Sequence, residues 1–295
     1  MALNNGLADL HTHTTASDGM QSPAENVRLA KEAGLAAIAI TDHDTVAGVA
    51  EAMLEGKRLG ITVVPGVEVS TVASGTDIHI LGYYTNNEDE KWLSRLSSLR
   101  GLRGQRNEMI LNKLNELGIA VTMEEVIAAA HGNSNMESLQ AAAVSIGRPH
   151  IAAVLVNKGI VSNMKEAFDL YLKTGAAAYV NPPRLNPFEA VDWIREAGGT
   201  SVIAHPGLYG NDSLVEEIIR YGIQGIEVFH SDHNPEDESR YAQLAAKYQL
   251  IATGGSDFHG SRQGVIFHGE IGNRTVDAKV LQQLEPALRK ERSES

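Results

Sequence analysis

Apolar residues come in short continuous runs along this chain, and amphipathic stretches lie between them. The first run, Leu7–Leu10, predicts a short strand. Ser22-Pro23-Ala24-Glu25 then opens a helix: Ser22 caps it, Pro23 suits its first turn and Glu25 completes a capping box. Gly34 tolerates positive φ and stops that helix. Leu35–Ile40 is apolar throughout, the pattern of a strand covered on both faces. A second helix is expected over about Thr45–Leu59, with strands over Ile61–Val64 and Ile78–Tyr84. The alternation resumes at Asn186-Pro187-Phe188-Glu189, another helix start. Strands follow over Ser201–Ala204 and Gly225–Phe229, then a helix over Pro235–Tyr248 and a last strand over Leu250–Thr253. Strands that alternate with helices favour a parallel sheet, open or closed into a barrel.

Between these two halves no strand pattern interrupts the helical one. Trp92–Leu117 predicts one long helix, with Gly101 and Gly104 as candidate breaks. Met123–Ala130, Pro149–Asn157 and Met164–Leu172 predict three shorter ones. The chain therefore divides into a barrel domain, 1–86 and 183–295, and a helical insertion, 87–182, that returns through the stiff Asn181-Pro182-Pro183. The charged tail Lys290–Ser295 is expected to fray.

Composition narrows the function classes. With 295 residues, 43% of them hydrophobic, the chain has ample material for a core. Its 25 basic and 37 acidic residues give a formal charge of −12. That charge disfavours duplex DNA and anionic membranes as partners. It leaves room for a phosphorylated substrate, because bound divalent cations reverse the sign locally. The chain has no cysteine, which excludes disulfides, thiolate metal sites and cysteine nucleophiles. Residues Met1–Ala8 carry no signal-peptide pattern and no apolar run is long enough to span a membrane, so a cytoplasmic location is expected.

Five short motifs place metal-binding side chains where strands should end. They are Asp9-Leu10-His11-Thr12-His13 with Asp18 behind it, Thr41-Asp42-His43, Gly66-Val67-Glu68, Ala204-His205-Pro206 and Ser256-Asp257-Phe258-His259. His79 lies within a predicted strand instead. Histidine with carboxylate is the ligand set of a hydrolytic metal site. Two residues apart on extended backbone, His11 and His13 point the same way, and Asp257 and His259 repeat that spacing. Asp42 is read either as a helix cap or as a carboxylate that fixes the His43 tautomer. Glu68, set among valines, needs a cation or hydrogen-bond donors.

These motifs resemble those of the PHP (polymerase and histidinol phosphatase) family. The similarity rests on His11-Thr12-His13-Thr14-Thr15-Ala16-Ser17-Asp18-Gly19, Ile40-Thr41-Asp42-His43-Asp44-Thr45, Pro65-Gly66-Val67-Glu68 and Gly255-Ser256-Asp257-Phe258-His259. It is greatest to bacterial members acting on nucleoside 3′,5′-bisphosphates and on the 5′ ends of short RNA. The resemblance implies a distorted (β/α)7 barrel, with the insertion over the active site and a centre of three divalent ions: manganese, with zinc or iron as alternatives. It implies that His11, His13, Glu68 and Asp257 hold one ion. Glu68 would bridge to a second, held with His79 and His205, and Asp18, His43 and His259 would hold the third. Asp257 and His205 are the candidates to orient the attacking water or protonate the leaving alkoxide. Arg148 and His150, in a segment resembling the relatives, are candidates to contact a substrate phosphate. Arg103 and Arg106 read better as ordinary surface arginines, and His230 and His233 are left outside the ligand set. The expected reaction is removal of the 3′-phosphate from a nucleoside 3′,5′-bisphosphate, with 5′-to-3′ exoribonuclease activity on short RNA as a possible second. The alternatives are a phosphatase for another small phosphomonoester, such as histidinol phosphate, and a nucleotide-binding metal module without hydrolysis.

Overall fold

The computed structural model describes residues 6–131, 144–262 and 265–286. Seven strands follow one another around a sheet in chain order: β1 (Leu7–Asp9), β2 (Ala37–Ile40), β3 (Thr62–Ala73), β4 (Thr76–Tyr83), β5 (Thr200–Ile203), β6 (Gly225–His230) and β7 (Ile251–Gly255). An eighth, Val276–Asp277, adds antiparallel to β1. The sheet then comes round on itself. Leu10 N–H donates to Gly254 O (3.1 Å), Asp257 N–H donates to His11 O (2.9 Å), and Thr12 bridges in parallel to Phe258. The result is a nearly closed barrel, as the alternation of strands and helices suggested. Gly255 allows the closure, since a Cβ there would collide with the Cβ and backbone nitrogen of His11.

β4 alone runs against its neighbours β3 and β5, while the other pairs within the ring are parallel. Its beginning therefore lies where the parallel strands end, and this is how His79 joins ligands that follow their strands. The strand expected to stop at Val64 continues to Ala73. Pro65 forms no barrier: it pairs with Ile40, and its carbonyl accepts from Tyr84 N–H. Gly66 then passes against Ile40 O and the Thr41 methyl, where no side chain would fit. Glu68 thus sits within a strand, bridged to His43.

The capping box predicted at Ser22 forms on helix α1 (Pro23–Glu32), and the helix expected from Asn186 begins there as Pro187–Glu196, with a capping box of its own. Helix α2 (Val49–Leu59) begins later than expected, because Asp44 takes φ 54° and Thr45 Oγ1 holds the Ala47 N–H in a turn. Helix α3 (Glu90–Glu116) runs unbroken through Gly101 and Gly104. It is followed by α4 (Met123–His131), α5 (Arg148–Asn157) and α6 (Met164–Ala167). The last passes into a π-helical turn, Phe168–Leu172. Trp92, Leu96 and Leu99 of α3 pack in the barrel's cluster of β3, β4 and their covering helices. Ile110, Leu111 and Leu114 pack instead with α4 and α5. One helix thereby joins two cores. Among the described residues no helix is long and apolar enough to cross a membrane. The tail Lys290–Ser295 lies outside the described residues.

Candidate metal centre

All nine expected ligands converge at the end of the barrel where the parallel strands finish. Glu68 is central. Its Oε1 lies 2.8 Å from His79 Nδ1 and 3.0 Å from His205 Nε2; its Oε2 lies 2.9 Å from His43 Nδ1 and 3.2 Å from His13 Nε2. Asp257 Oδ1 faces His11 Nε2 at 3.3 Å and His13 Nε2 at 3.1 Å. Asp18 Oδ1 is 3.3 Å from His259 Nε2, and Asp18 Oδ2 is 3.7 Å from His43 Nε2. The atoms of His13, Asp18, His43 and His259 all fall within 4.8 Å of one another, as do those of His11, His13 and Asp257, and of His43, Glu68 and His79.

The donor set fits divalent ions. Ligands about 2.1 Å from a common ion stand about 3.0–3.4 Å apart, and the separations here run from 2.8 to 3.7 Å around that range. His43 Nδ1, His79 Nδ1, His205 Nδ1 and Asp257 Oδ1 are buried without a hydrogen bond of good geometry, which in a native protein asks for an explanation. His11 Nε2 and His13 Nε2 are 3.2 Å apart, close enough to share one ion. Charge points the same way. Burial would raise Glu68, but His43, His79 and His11 hold its carboxyl well below the usual range. Burial pushes His43 and His205 down to about 4, leaving neutral imidazoles that can ligate. Burial would depress His13 too, yet the carboxylates of Asp257 and Glu68 draw it up to about 10. A cation in the cluster would replace that proton.

Two strained residues sit in the ring. His205 has φ 24° and Asp257 φ 52°, a left-handed backbone that non-glycine residues adopt rarely and mostly at functional sites. Asp42 neither caps a helix nor touches the His43 ring. It braces the 13–18 loop, accepting from Thr14 N–H (2.8 Å), Thr14 Oγ1 (2.7 Å) and Ser17 Oγ (2.6 Å). Asp9 ties the barrel seam, accepting from Ser256 N–H and Gly272 N–H, and burial raises its pKa to about 6.

A cavity of about 420 Å³ opens onto this cluster. Asp18, His43, Glu68, His79, His205, Asp257 and His259 line it together with Arg103, Arg106, Arg148, Arg184 and Lys165 and the apolar Phe168, Phe267 and Leu208. The reading of Arg103 and Arg106 as surface residues is corrected: they are 7% and 4% exposed, on one face of α3. Arg103 pairs with Asp44 (2.7 Å) and donates to Ser70 Oγ. Arg148 and Arg184 share Asp77. Arg106 makes no ion pair within 4.0 Å among the described residues, and its Nε has no partner. Burial and the neighbouring Arg148 and Arg103 press its pKa well below the usual value.

The structure separates the other expected pair. Arg148 lines the cavity, whereas His150 is buried off its wall, its Nδ1 accepting from Gly147 N–H at the start of α5. His230, left outside the ligand set, is fully buried with Nε2 3.3 Å from Asp257 Oδ2. His233 serves the backbone, bonding Val228 O and Gly207 N–H. The reading passed over Glu227, buried on β6 against His11, although a lone carboxylate within Gly225–Phe229 was a visible signal. His268 was also missed; it lines the cavity and holds Asp232 at 2.5 Å.

A model of the PHP domain matches residues 9–180, well over half of the chain. The chain belongs to the PHP family. It is 36% identical to a 3′,5′-nucleoside bisphosphate phosphatase of Chromobacterium violaceum, over 87% of this chain and 88% of that protein. It is 35% identical to a 5′-3′ exoribonuclease of Haemophilus influenzae, over 85% and 89%. A phosphoribosyl 1,2-cyclic phosphate 1,2-diphosphodiesterase of Eggerthella lenta is 32% identical over 86% and 94%. Among solved structures, a protein of Bifidobacterium adolescentis described as a metal-dependent phosphoesterase superposes with a TM-score of 0.82. It is 28% identical, and 94% of each chain is covered. This PHP protein is accordingly a metal-dependent phosphoric ester hydrolase with a barrel fold.

Proposed function

We propose that this enzyme removes the 3′-phosphate from nucleoside 3′,5′-bisphosphates and, with the same site, trims short RNA from its 5′ end. The observation that carries this reading is the set of arginines lining the same cavity as the ligand cluster, with Arg106 buried and without an ion-pair partner among the described residues. One phosphate at the candidate metal ligands leaves Arg106 without a carboxylate or phosphate partner among the described residues. A substrate with a second phosphate would supply one, and a planar guanidinium can donate two hydrogen bonds to it. The relatives named for bisphosphates and for RNA 5′ ends support the choice, since such substrates place one phosphate a ribose away from another.

In this reading the nine ligands hold three divalent ions, manganese first among the candidates. Divalent ions bound there supply Lewis-acid charge and a water that deprotonates near neutral pH. The chain's residues do the rest. His43 and His205 stay neutral and keep their lone pairs available. Asp257 and His205, which line the cavity, are the candidates to orient the attacking water or to pass the proton that water gives up to the 3′-oxygen as its bond to phosphorus breaks. Arg106 and Arg148 fix the distal phosphate. Residues 87–182 act as a cap that brings those arginines over the barrel mouth.

The deciding experiment measures phosphate release by manganese-loaded protein from adenosine 3′,5′-bisphosphate, with 5′-AMP and histidinol phosphate alongside. Release from the bisphosphate alone is expected. Release from histidinol phosphate, or from neither, would overturn the substrate assignment. The Eggerthella relative supports a second reading, a phosphorylated ribose cyclic phosphate, which belongs in the same assay.

A further inference from the structure

Every strand of the ring supplies one of the nine ligands, itself or just beyond its end, except β6. β6 instead carries a fully buried carboxylate, Glu227, behind the cluster. Its oxygens lie 3.1 and 3.2 Å from His11 Nδ1, and Oε2 accepts from the backbone N–H of His205 at 2.8 Å. We infer that Glu227 is a positioning residue for the metal centre, setting the His11 tautomer and holding His205 in its strained backbone conformation. A carboxylate can only accept, so the His11 proton resides on Nδ1 and the lone pair on Nε2. That nitrogen faces His13, Glu68 and Asp257, where the ligand atoms gather. One side chain thereby aligns ligands from β1 and β5, on opposite flanks of the ring. His230 does the same for β7. Its Nδ1 accepts from Asp232 N–H, so its Nε2–H donates to Asp257 Oδ2 and leaves Oδ1 toward the cluster.

The inference rests on the nine residues binding metal, and Glu227→Gln separates the two ideas. A glutamine that keeps its oxygen on the His205 N–H turns its NH2 toward His11 Nδ1. His11 Nδ1–H then keeps only the 3.2 Å oxygen and meets a donor at 3.1 Å, which favours the tautomer with the proton on Nε2, the ligating atom. The experiment titrates manganese into metal-free wild type, Glu227→Gln and Glu227→Asp by calorimetry, and records the thermal unfolding of each metal-free form. The expected result is manganese affinity about 10- to 100-fold weaker in the glutamine variant. The aspartate variant, still acceptor-only, should lie between it and wild type, with metal-free melting little changed. A merely structural role would lower the melting temperature and leave the titration alone. Affinity within about twofold of wild type in the glutamine variant, or weaker binding by aspartate than by glutamine, overturns the inference. If the glutamine variant does not fold, wild-type affinity in the aspartate variant overturns it. Wild type failing to bind manganese would instead remove the metal centre itself.

Discussion

Arg106 and Arg148 line the same cavity as the candidate metal ligands without holding equal positions: Arg148 is balanced by Asp77, and Arg106 has no carboxylate partner among the described residues. Replacing Arg106 with alanine should lower kcat/KM on a bisphosphate about 10- to 100-fold, the worth of a charge-assisted hydrogen bond. Turnover of an aryl phosphate, which offers nothing to those arginines, should change less than about threefold; equal losses on both substrates would deny Arg106 and its neighbours their role. His13 supports a second prediction. In the metal-free protein its pKa stands at about 10, so at neutral pH an entering ion must displace a proton. Manganese affinity should rise with pH toward that value, by about tenfold per unit for each proton released. A flat affinity between pH 6 and 9, by calorimetry, would show that no proton leaves. At this scale the nine side chains that gather at the barrel end were legible because their types and spacing are chemically restrictive. Arg103 and Arg106 were not, because nothing in the sequence of α3 says that its polar face turns inward between two cores.

Helix α3 owes its docking to few polar contacts, the most buried being Arg103 with Asp44. Burial would raise Asp44, but Arg103 holds its carboxyl below the usual 3.8. The pair therefore contributes fully above that value, and its contribution is lost as pH falls beneath it. Asp44→Asn should cost about 3–5 kcal/mol at pH 7, because it strands a buried guanidinium. The difference from wild type in urea unfolding should shrink in acid, and a difference that grew as pH fell would reverse the assigned sign. Elements were read well where local chemistry decides them: the capping box at Ser22, the helix start at Asn186 and the apolar β2. They were misread where pairing decides, since β3 passes Pro65 only because β2 and Tyr84 receive it. The helix Asp212–Tyr221 was not anticipated, although Asn211 caps it and Gly222 ends it.

For the whole molecule, the barrel and the nine-residue cluster imply that chelation abolishes activity and that added manganese restores it. His11→Ala should remove turnover altogether. Activity that survives metal removal, verified by elemental analysis, would contradict a metal-dependent hydrolase. The closed ring also follows from the sequence at this scale, since ligand pairs at both ends of the chain require those ends to meet. The seam that joins Leu10–Thr12 to Gly254–Phe258 brings together segments separated by most of the polypeptide. Such contacts are the slowest to form. During synthesis, His11 and His13 emerge first and wait for Asp257 and His259 until nearly the whole chain has left the ribosome. A nascent chain that stops short of β7 already carries Glu68, 3.5 Å from His11 and 3.2 Å from His13, but lacks Asp257 and His259. The nine-residue cluster is therefore whole only when the last strand of the ring has been made.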